Sequence, residues 1–257
     1  MATFSLCMIV KNEEKVLARC LDSICDLMDE IIIVDTGSGD RTKEIAGRYT
    51  DRVYDFEWTG SFSDARNFSF SLAGCDYIYC ADADEVLEGE NREKLRKLKE
   101  TILPQVEIVQ MYYGNQLCDG TVYNFDRELR PRLFKRLRTF EWIEPVHETV
   151  RLLPVVFDSD IEITHMPEKS HTSRDLQIFE RIIAGGERLS KRLANMYAKE
   201  LLISGETESL KRAETYFTYV ADGGETEEEQ MKEVGCVVVR AARLRGDYLK
   251  MYRYAMK

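Results

Sequence analysis

Basic charge is in deficit in this sequence: 36 Lys and Arg stand against 46 Asp and Glu, a formal net charge of −10. Such a surface repels phosphate polyanions and no basic arm offsets it, so nucleic acid is not an expected partner. Long apolar runs are missing as well. The first, Phe4-Ser-Leu-Cys-Met-Ile-Val10, is too short to span a bilayer and lacks the basic flank and cleavage site of a signal peptide. No integral membrane segment is expected, and the expected location is the cytoplasm. Cysteine is present seven times, an odd number, and never at C-x-x-C spacing, which argues against a disulfide framework, a zinc knuckle or a dithiol redox site. All seven read as reduced core residues. Histidine occurs only three times, and His171 reads as structural. What remains is 44% hydrophobic and 10% aromatic over 257 residues, enough for a sizeable core and a small second domain.

The apolar residues alternate between two periods. Phe4 to Val10 is a continuous apolar run of strand formers, and Val16, Leu17, Cys20, Leu21 and Ile24 then follow the helical period. Glu30 to Asp35 is a second apolar strand, Thr36-Gly-Ser-Gly-Asp40 a turn, and Asp40 an N-cap for a helix reaching about Tyr49. Arg52 to Glu57 predicts a third strand, Ser63 to Ala73 a helix, Asp76 to Ala81 a fourth strand, Glu90 to Thr101 a helix and Glu107 to Gln116 another strand. Strands buried on both faces and alternating with helices predict an α/β fold whose mainly parallel sheet is flanked by helices. Residues 127 to 150 break that pattern, and 130 to 136 read equally well as a phosphate-binding loop or as a strand with one polar face. After Ile163-Thr-His-Met-Pro167 the chain predicts helices over 174 to 205, 208 to 221 and 225 to 244, so the expected division is 1–168 for the α/β domain and 169–257 for an all-helical module. Glu208 to Val220 resembles one helix of a tetratricopeptide pair. A homo-oligomer through this module is compatible with that reading, and the uncapped end at Tyr252-Arg-Tyr-Ala-Met-Lys257 reads as a truncated one.

The sharpest chemical signal is Asp82-Ala-Asp-Glu85, three carboxylates directly after an apolar strand. Side chains two apart on a strand share a face, so Asp82 and Asp84 are expected to converge at the strand's carboxyl end, where Mn²⁺ or Mg²⁺ would relieve their repulsion. Asn12 and Asp35 fall at the ends of the first two strands, the edge at which open α/β sheets bind ligands.

Four fragments, Cys7-Met-Ile-Val-Lys-Asn-Glu-Glu14, Ile33-Val-Asp-Thr-Gly-Ser-Gly-Asp-Arg-Thr42, Phe62-Ser-Asp-Ala-Arg-Asn67 and Asp82-Ala-Asp-Glu85, stand in the order of a family 2 glycosyltransferase, and residues 4 to 165 resemble that family's GT-A fold. The resemblance implies an inverting, metal-dependent transferase taking a nucleotide sugar, with UDP the expected nucleotide. It assigns Asn12 and Glu13 to the nucleotide pocket, Asp35 to base or ribose, Asp64 and Arg66 to the diphosphate side, and Asp82-Ala83-Asp84 to donor and metal. Asp84 and Asp82, with His165 after a late strand, are the expected metal ligands. Arg136 is expected to steady the diphosphate, while Phe140 and Trp142 are read either as an acceptor platform or as core. The segment Val146-His-Glu148 resembles the region that carries the catalytic base: Glu148 is the expected base with His147 beside it, and Glu144 is the alternative. The acceptor is expected to be a peptide, a protein or a glycan. Two rival readings remain at this level, a phosphotransferase using Asp82-Ala-Asp-Glu-Val86 and an inactive sugar-binding scaffold with a partner-binding helical module.

Overall fold

The structure is a computed structural model and describes residues 1–115, 128–136, 142–147, 149–150, 155–166, 172–204, 206–223 and 228–256. The chain forms two compact units, Met1–Lys169 and Ser170–Lys257.

In the first unit the elements run β1 Phe4–Val10, α1 Leu17–Ile24, β2 Glu30–Asp35, α2 Thr42–Ala46, β3 Val53–Asp55, α3 Phe62–Ser71, β4 Tyr77–Cys80, β5 Glu85–Val86, α4 Glu90–Thr101, β6 Ile108–Asn115, β7 Glu128–Lys135, β8 Trp142–Ile143, β9 Thr149–Val150 and β10 Val156–His165. Among the described residues eight strands make one mixed sheet in the order β3-β2-β1-β4-β7-β6-β10-β5, and β8 and β9 pair separately. The parallel half is β3-β2-β1-β4; β7 runs antiparallel to both β4 and β6. The unbroken apolar run of β1 has a direct cause, since both its faces are covered. Phe4, Leu6, Met8 and Val10 share one core with Leu17, Leu21 and Ile24 of α1 and Leu95 of α4, whereas Cys7 joins Ile32, Val34, Phe70, Ile78 and Phe134 on the other side. Each fully buried large aliphatic or aromatic side chain among these contributes about 1.5 to 3 kcal/mol relative to exposure.

The irregular stretch contains a strand, β7, one of the two readings open for 130 to 136. Pro131 of β7 pairs with Gln110 at the register shift between Val109 and Gln110, the kind of position a residue without an N–H can occupy inside a sheet. The helix after Asp40 is shorter than expected, ending at Ala46, although Asp40 Oδ1 does accept from the Thr42 N–H at 2.9 Å.

The second unit comprises α5 Thr172–Ala184, α6 Lys191–Ser204, α7 Thr207–Asp222, α8 Glu228–Arg245 and α9 Tyr248–Ala255. The single helix expected from 174 to 205 is therefore two. Gly185 and Gly186 break it, and Gly186 takes φ +80°, a conformation that favours glycine. Phe179, Tyr197 and Phe217 stack in succession at the centre, 4.8 and 5.3 Å between centroids, and α7 packs on α8. Cys236 is exposed and Cys25 and Cys75 are half-buried, so the core reading holds only for Cys7, Cys20 and Cys80, while Cys118 lies outside the described residues. No helix among the described residues is long and apolar enough to cross a membrane.

Candidate functional site

The carboxyl ends of β2, β1 and β4 are neighbours, which brings Asp35, Asn12 and Asp82 to one edge of the sheet. Asp35 ends β2 with only 1% of its surface exposed. Its Oδ1 accepts from the N–H groups of Gly37 at 2.9 Å and Ser38 at 2.8 Å, the turn-stabilising arrangement that Asp before glycine favours. Its other oxygen, Oδ2, is buried without a hydrogen-bond partner among the described residues. An unmatched buried carboxylate oxygen costs about 1 to 3 kcal/mol or more, so this atom is suited to a donor brought by a ligand. Asn12, at φ +56°, ties the neighbouring turn down: its N–H donates to Ser38 Oγ and its Oδ1 accepts from the Gly39 N–H. The Glu13 N–H donates to Thr42 Oγ1 at 2.7 Å.

After Cys80 the strand gives way to a turn closed by the Glu85 N–H donating to the Asp82 carbonyl at 3.2 Å, so the alternation that would aim Asp82 and Asp84 to one face does not continue. The two carboxylates take different partners. Asp82 faces two buried guanidiniums, Arg66 at 3.2 Å from α3 and Arg132 at 3.5 Å from β7. Enclosure opposes its charge, but Arg66 and Arg132 together hold the Asp82 carboxyl well below the usual carboxylate range. Arg132 also pairs with Glu85, which is 2% exposed; burial pushes Glu85 up, against the pull of Arg132 and with the push of Asp82. Ala83 between them is buried.

Asp84 Oδ2 lies 2.9 Å from His165 Nε2 at the end of β10, where β5 and β10 pair in antiparallel register. Tyr113 of β6 stacks on the imidazole at 5.1 Å. The pair fits a hard divalent cation. An oxygen and a nitrogen occupying adjacent octahedral positions at about 2.1 Å stand about 3 Å apart, and carboxylate with imidazole suits Mn²⁺ or Mg²⁺. Among the described residues no cluster of three or more His, Cys, Asp and Glu side chains is gathered as a metal site. The structure thus joins Asp84 to His165 and turns Asp82 away to its arginines.

Arg66 and Asp64 are both expected on the diphosphate side. Arg66 instead binds Asp82 and lies under the Trp142 ring at 4.9 Å, while Asp64 accepts from Thr59 Oγ1 and its N–H donates to the N-cap Ser61. Trp142 is 8% exposed and packs on Phe70 and Phe134, so it is core rather than an open platform. Arg136 is not brought to the site. Its Nε donates to the Cys75 carbonyl and its N–H to the Asp76 carbonyl, at the amino end of β4. Cys80, at the other end of β4, lies roughly 10 Å further along at strand spacing, with Asp82 beyond it. His147 closes the β8–β9 turn at φ +47°, Glu144 opens it at φ +69°, and Glu148 and Phe140 lie outside the described residues.

Sequence reasoning gave Glu85 and Asn67 no role and left Arg132 unpaired. Asn67 fastens β8 to α3, its Oδ1 accepting from the Trp142 N–H at 2.8 Å and its Nδ2 donating to the Trp142 carbonyl at 3.1 Å. Its place in Asp64-Ala-Arg-Asn67 was the available signal.

Comparison with known proteins follows the same lines. The chain is 37% identical over 150 residues to a TPR repeat-containing protein of Synechococcus elongatus, an alignment covering 58% of this chain and 36% of that one. It is 35% identical over 195 residues to the glycosyltransferase SunS of Bacillus subtilis, covering 70% and 45%. The chain therefore spans less than half the length of both curated relatives. Among solved structures it shares its fold with glucosyl-3-phosphoglycerate synthase of Mycobacterium tuberculosis, crystallised with Mn²⁺, UDP-glucose and phosphoglyceric acid, at TM-score 0.54 and 18% identity over 74% of this chain and 82% of that one. The sequence model for glycosyl transferase family 2 matches residues 5–152, more than half of the sequence, and the chain belongs to that family.

Proposed function

We propose that this chain transfers a sugar from a UDP-sugar to a hydroxyl or amide acceptor on a peptide, protein or glycan, with inversion at the anomeric carbon. The observation that carries the reading is the buried, unmatched Oδ2 of Asp35 on the same sheet edge as Asp82 and the Asp84–His165 pair. A uracil imide N–H or a ribose hydroxyl would satisfy Asp35, and Asn12 holds the adjoining turn in shape for it. Asp82, kept ionised between Arg66 and Arg132, is the acceptor for the ribose. Asp84 and His165 are the residues that would hold Mn²⁺ or Mg²⁺, and the glucosyl-3-phosphoglycerate synthase with Mn²⁺ and UDP-glucose is in keeping with that choice. When bound, such an ion neutralises charge on the departing diphosphate.

In the transfer, the acceptor oxygen or nitrogen attacks the anomeric carbon, the bond from that carbon to the diphosphate oxygen breaks, and the acceptor proton passes to a base. Glu148, next in sequence to His147, is the proposed base. The test is Glu148→Gln: UDP binding with Mn²⁺ should persist while transfer falls by two or more orders of magnitude, the range a positioned base supplies. Normal turnover would move the assignment to Glu144. Proton NMR of the product's anomeric signal reads the stereochemistry, and a retained configuration would refute inversion.

A further inference from the structure

The two sides of this site meet at α3 through consecutive residues. Arg66 points to the donor side, pairing with Asp82 at 3.2 Å, and Asn67 grips the backbone of Trp142 through both its N–H and its carbonyl. A side-chain amide that satisfies a donor and an acceptor of one residue does the work of a strand neighbour, and among the described residues β8 pairs with β9 alone. A third bond reinforces this grip, since the Phe62 N–H at the start of α3 donates to the Pro145 carbonyl at 2.9 Å, inside the turn bounded by Glu144 and His147. The Trp142 ring completes the bridge. It lies over the Arg66 guanidinium at 4.9 Å, so the residue that holds Asp82 and the residue that anchors the hairpin are in contact. Left-handed backbone at the non-glycine residues Glu144 and His147 is unfavourable and persists only where surrounding contacts hold it. A two-residue ladder such as β8 with β9 cannot do so alone.

We infer that Asn67 is a positioning residue: it sets the turn from Glu144 to His147 against α3, whose Arg66 holds the donor aspartate Asp82, so that α3 fixes this turn relative to the donor side. This rests on the transferase reading for its catalytic consequence and on geometry alone for its structural one.

The experiment uses the full chain with Asn67→Ala, which removes both bonds, and Asn67→Asp, which keeps the acceptor for the Trp142 N–H and loses the donor. Amide hydrogen exchange over 142–150 should speed up about tenfold in Asn67→Ala and by less in Asn67→Asp, with β1, β2 and β4 unchanged. UDP affinity with Mn²⁺ should stay within about twofold of wild type. With the best substrate among UDP-glucose, UDP-galactose and UDP-N-acetylglucosamine, the rate of UDP release at saturation should fall at least tenfold in Asn67→Ala while KM holds. Unchanged exchange in the hairpin, or a loosened hairpin with an unchanged saturated rate, overturns the proposal. A wild type that neither binds UDP with Mn²⁺ nor splits any of the three sugars refutes the transferase reading instead, and hairpin exchange alone then decides the anchoring role.

Discussion

Arg132 is the strongest place to test the electrostatics of this site. Its guanidinium is almost fully buried and joins Glu85, which is itself 2% exposed, to the Asp82 carboxylate. Replacement by Met keeps most of the side chain's volume but leaves Glu85, whose carboxyl burial already pushes up to about 8, without its partner. Removing one member of a buried pair costs up to about 3 to 5 kcal/mol, because the remaining carboxyl must either stay charged without water or partner or take up a proton. A domain of this size loses roughly 2 to 4 °C in Tm per kcal/mol, so Arg132→Met should melt on the order of 10 °C below wild type. If the orphaned charge is the cause, Glu85→Gln in the Arg132→Met background removes it while keeping an oxygen to accept from the Asp82 N–H, a bond of 3.2 Å in the wild type. The double variant should regain about 1 to 3 kcal/mol in a urea titration. A double variant less stable than Arg132→Met, or an Arg132→Met variant as stable as wild type, would refute the reasoning. Asp82 itself retains Arg66 and is 40% exposed, so its own share of the loss is the smaller one.

Asp35→Asn should fold normally, because its Oδ1 can still accept from the Gly37 and Ser38 N–H groups, yet it sets an N–H where the ligand's donor belongs. UDP affinity measured by calorimetry should weaken by about 5- to 150-fold, the equivalent of 1 to 3 kcal/mol. Glu30 gives a pH test away from the site: burial opposes its charge, but Ser5 Oγ–H, the Gly74 N–H and Arg52 bind the carboxylate and hold it below its ordinary value. A carboxyl lowered in the folded state adds stability that is present above about pH 4.5 and lost as pH falls through the folded value. Glu30→Gln should therefore cost about 1 kcal/mol near pH 7 and progressively less as pH falls below about 4.5 in urea titrations, and a penalty independent of pH would contradict this.

Much of the parallel half was legible because periodicity and burial coincide there. β1 and β2 are apolar throughout, since both faces are covered, and α4 spans Glu90–Thr101 as its charged pattern predicts. The Asp82-Ala-Asp-Glu85 motif announced a site, but which partner each carboxylate takes depends on strands far away in sequence. Asp82 and Glu85 meet Arg132 across 47 to 50 residues, and Asp84 meets His165 across 81. No local pattern encodes those distances. Residues 130 to 136 left a phosphate-binding loop and a strand equally open, since Pro131 interrupts the pattern and nothing local shows that Arg132 is buried, and Arg136 looked like part of the same cationic group although it caps the opposite end of β4. Trp142, left open between an acceptor platform and core, takes the second: it is held by Asn67 and roofs Arg66.

The central claim is that Asp84 and His165 bind a divalent cation that in turn secures UDP, and the most direct measurement is calorimetric titration of UDP into the full chain with and without Mn²⁺, repeated with Asp84→Ala. The account predicts UDP binding that requires Mn²⁺ in the wild type and is lost in Asp84→Ala; equal binding in all three conditions, or none in the wild type with Mn²⁺, would contradict it.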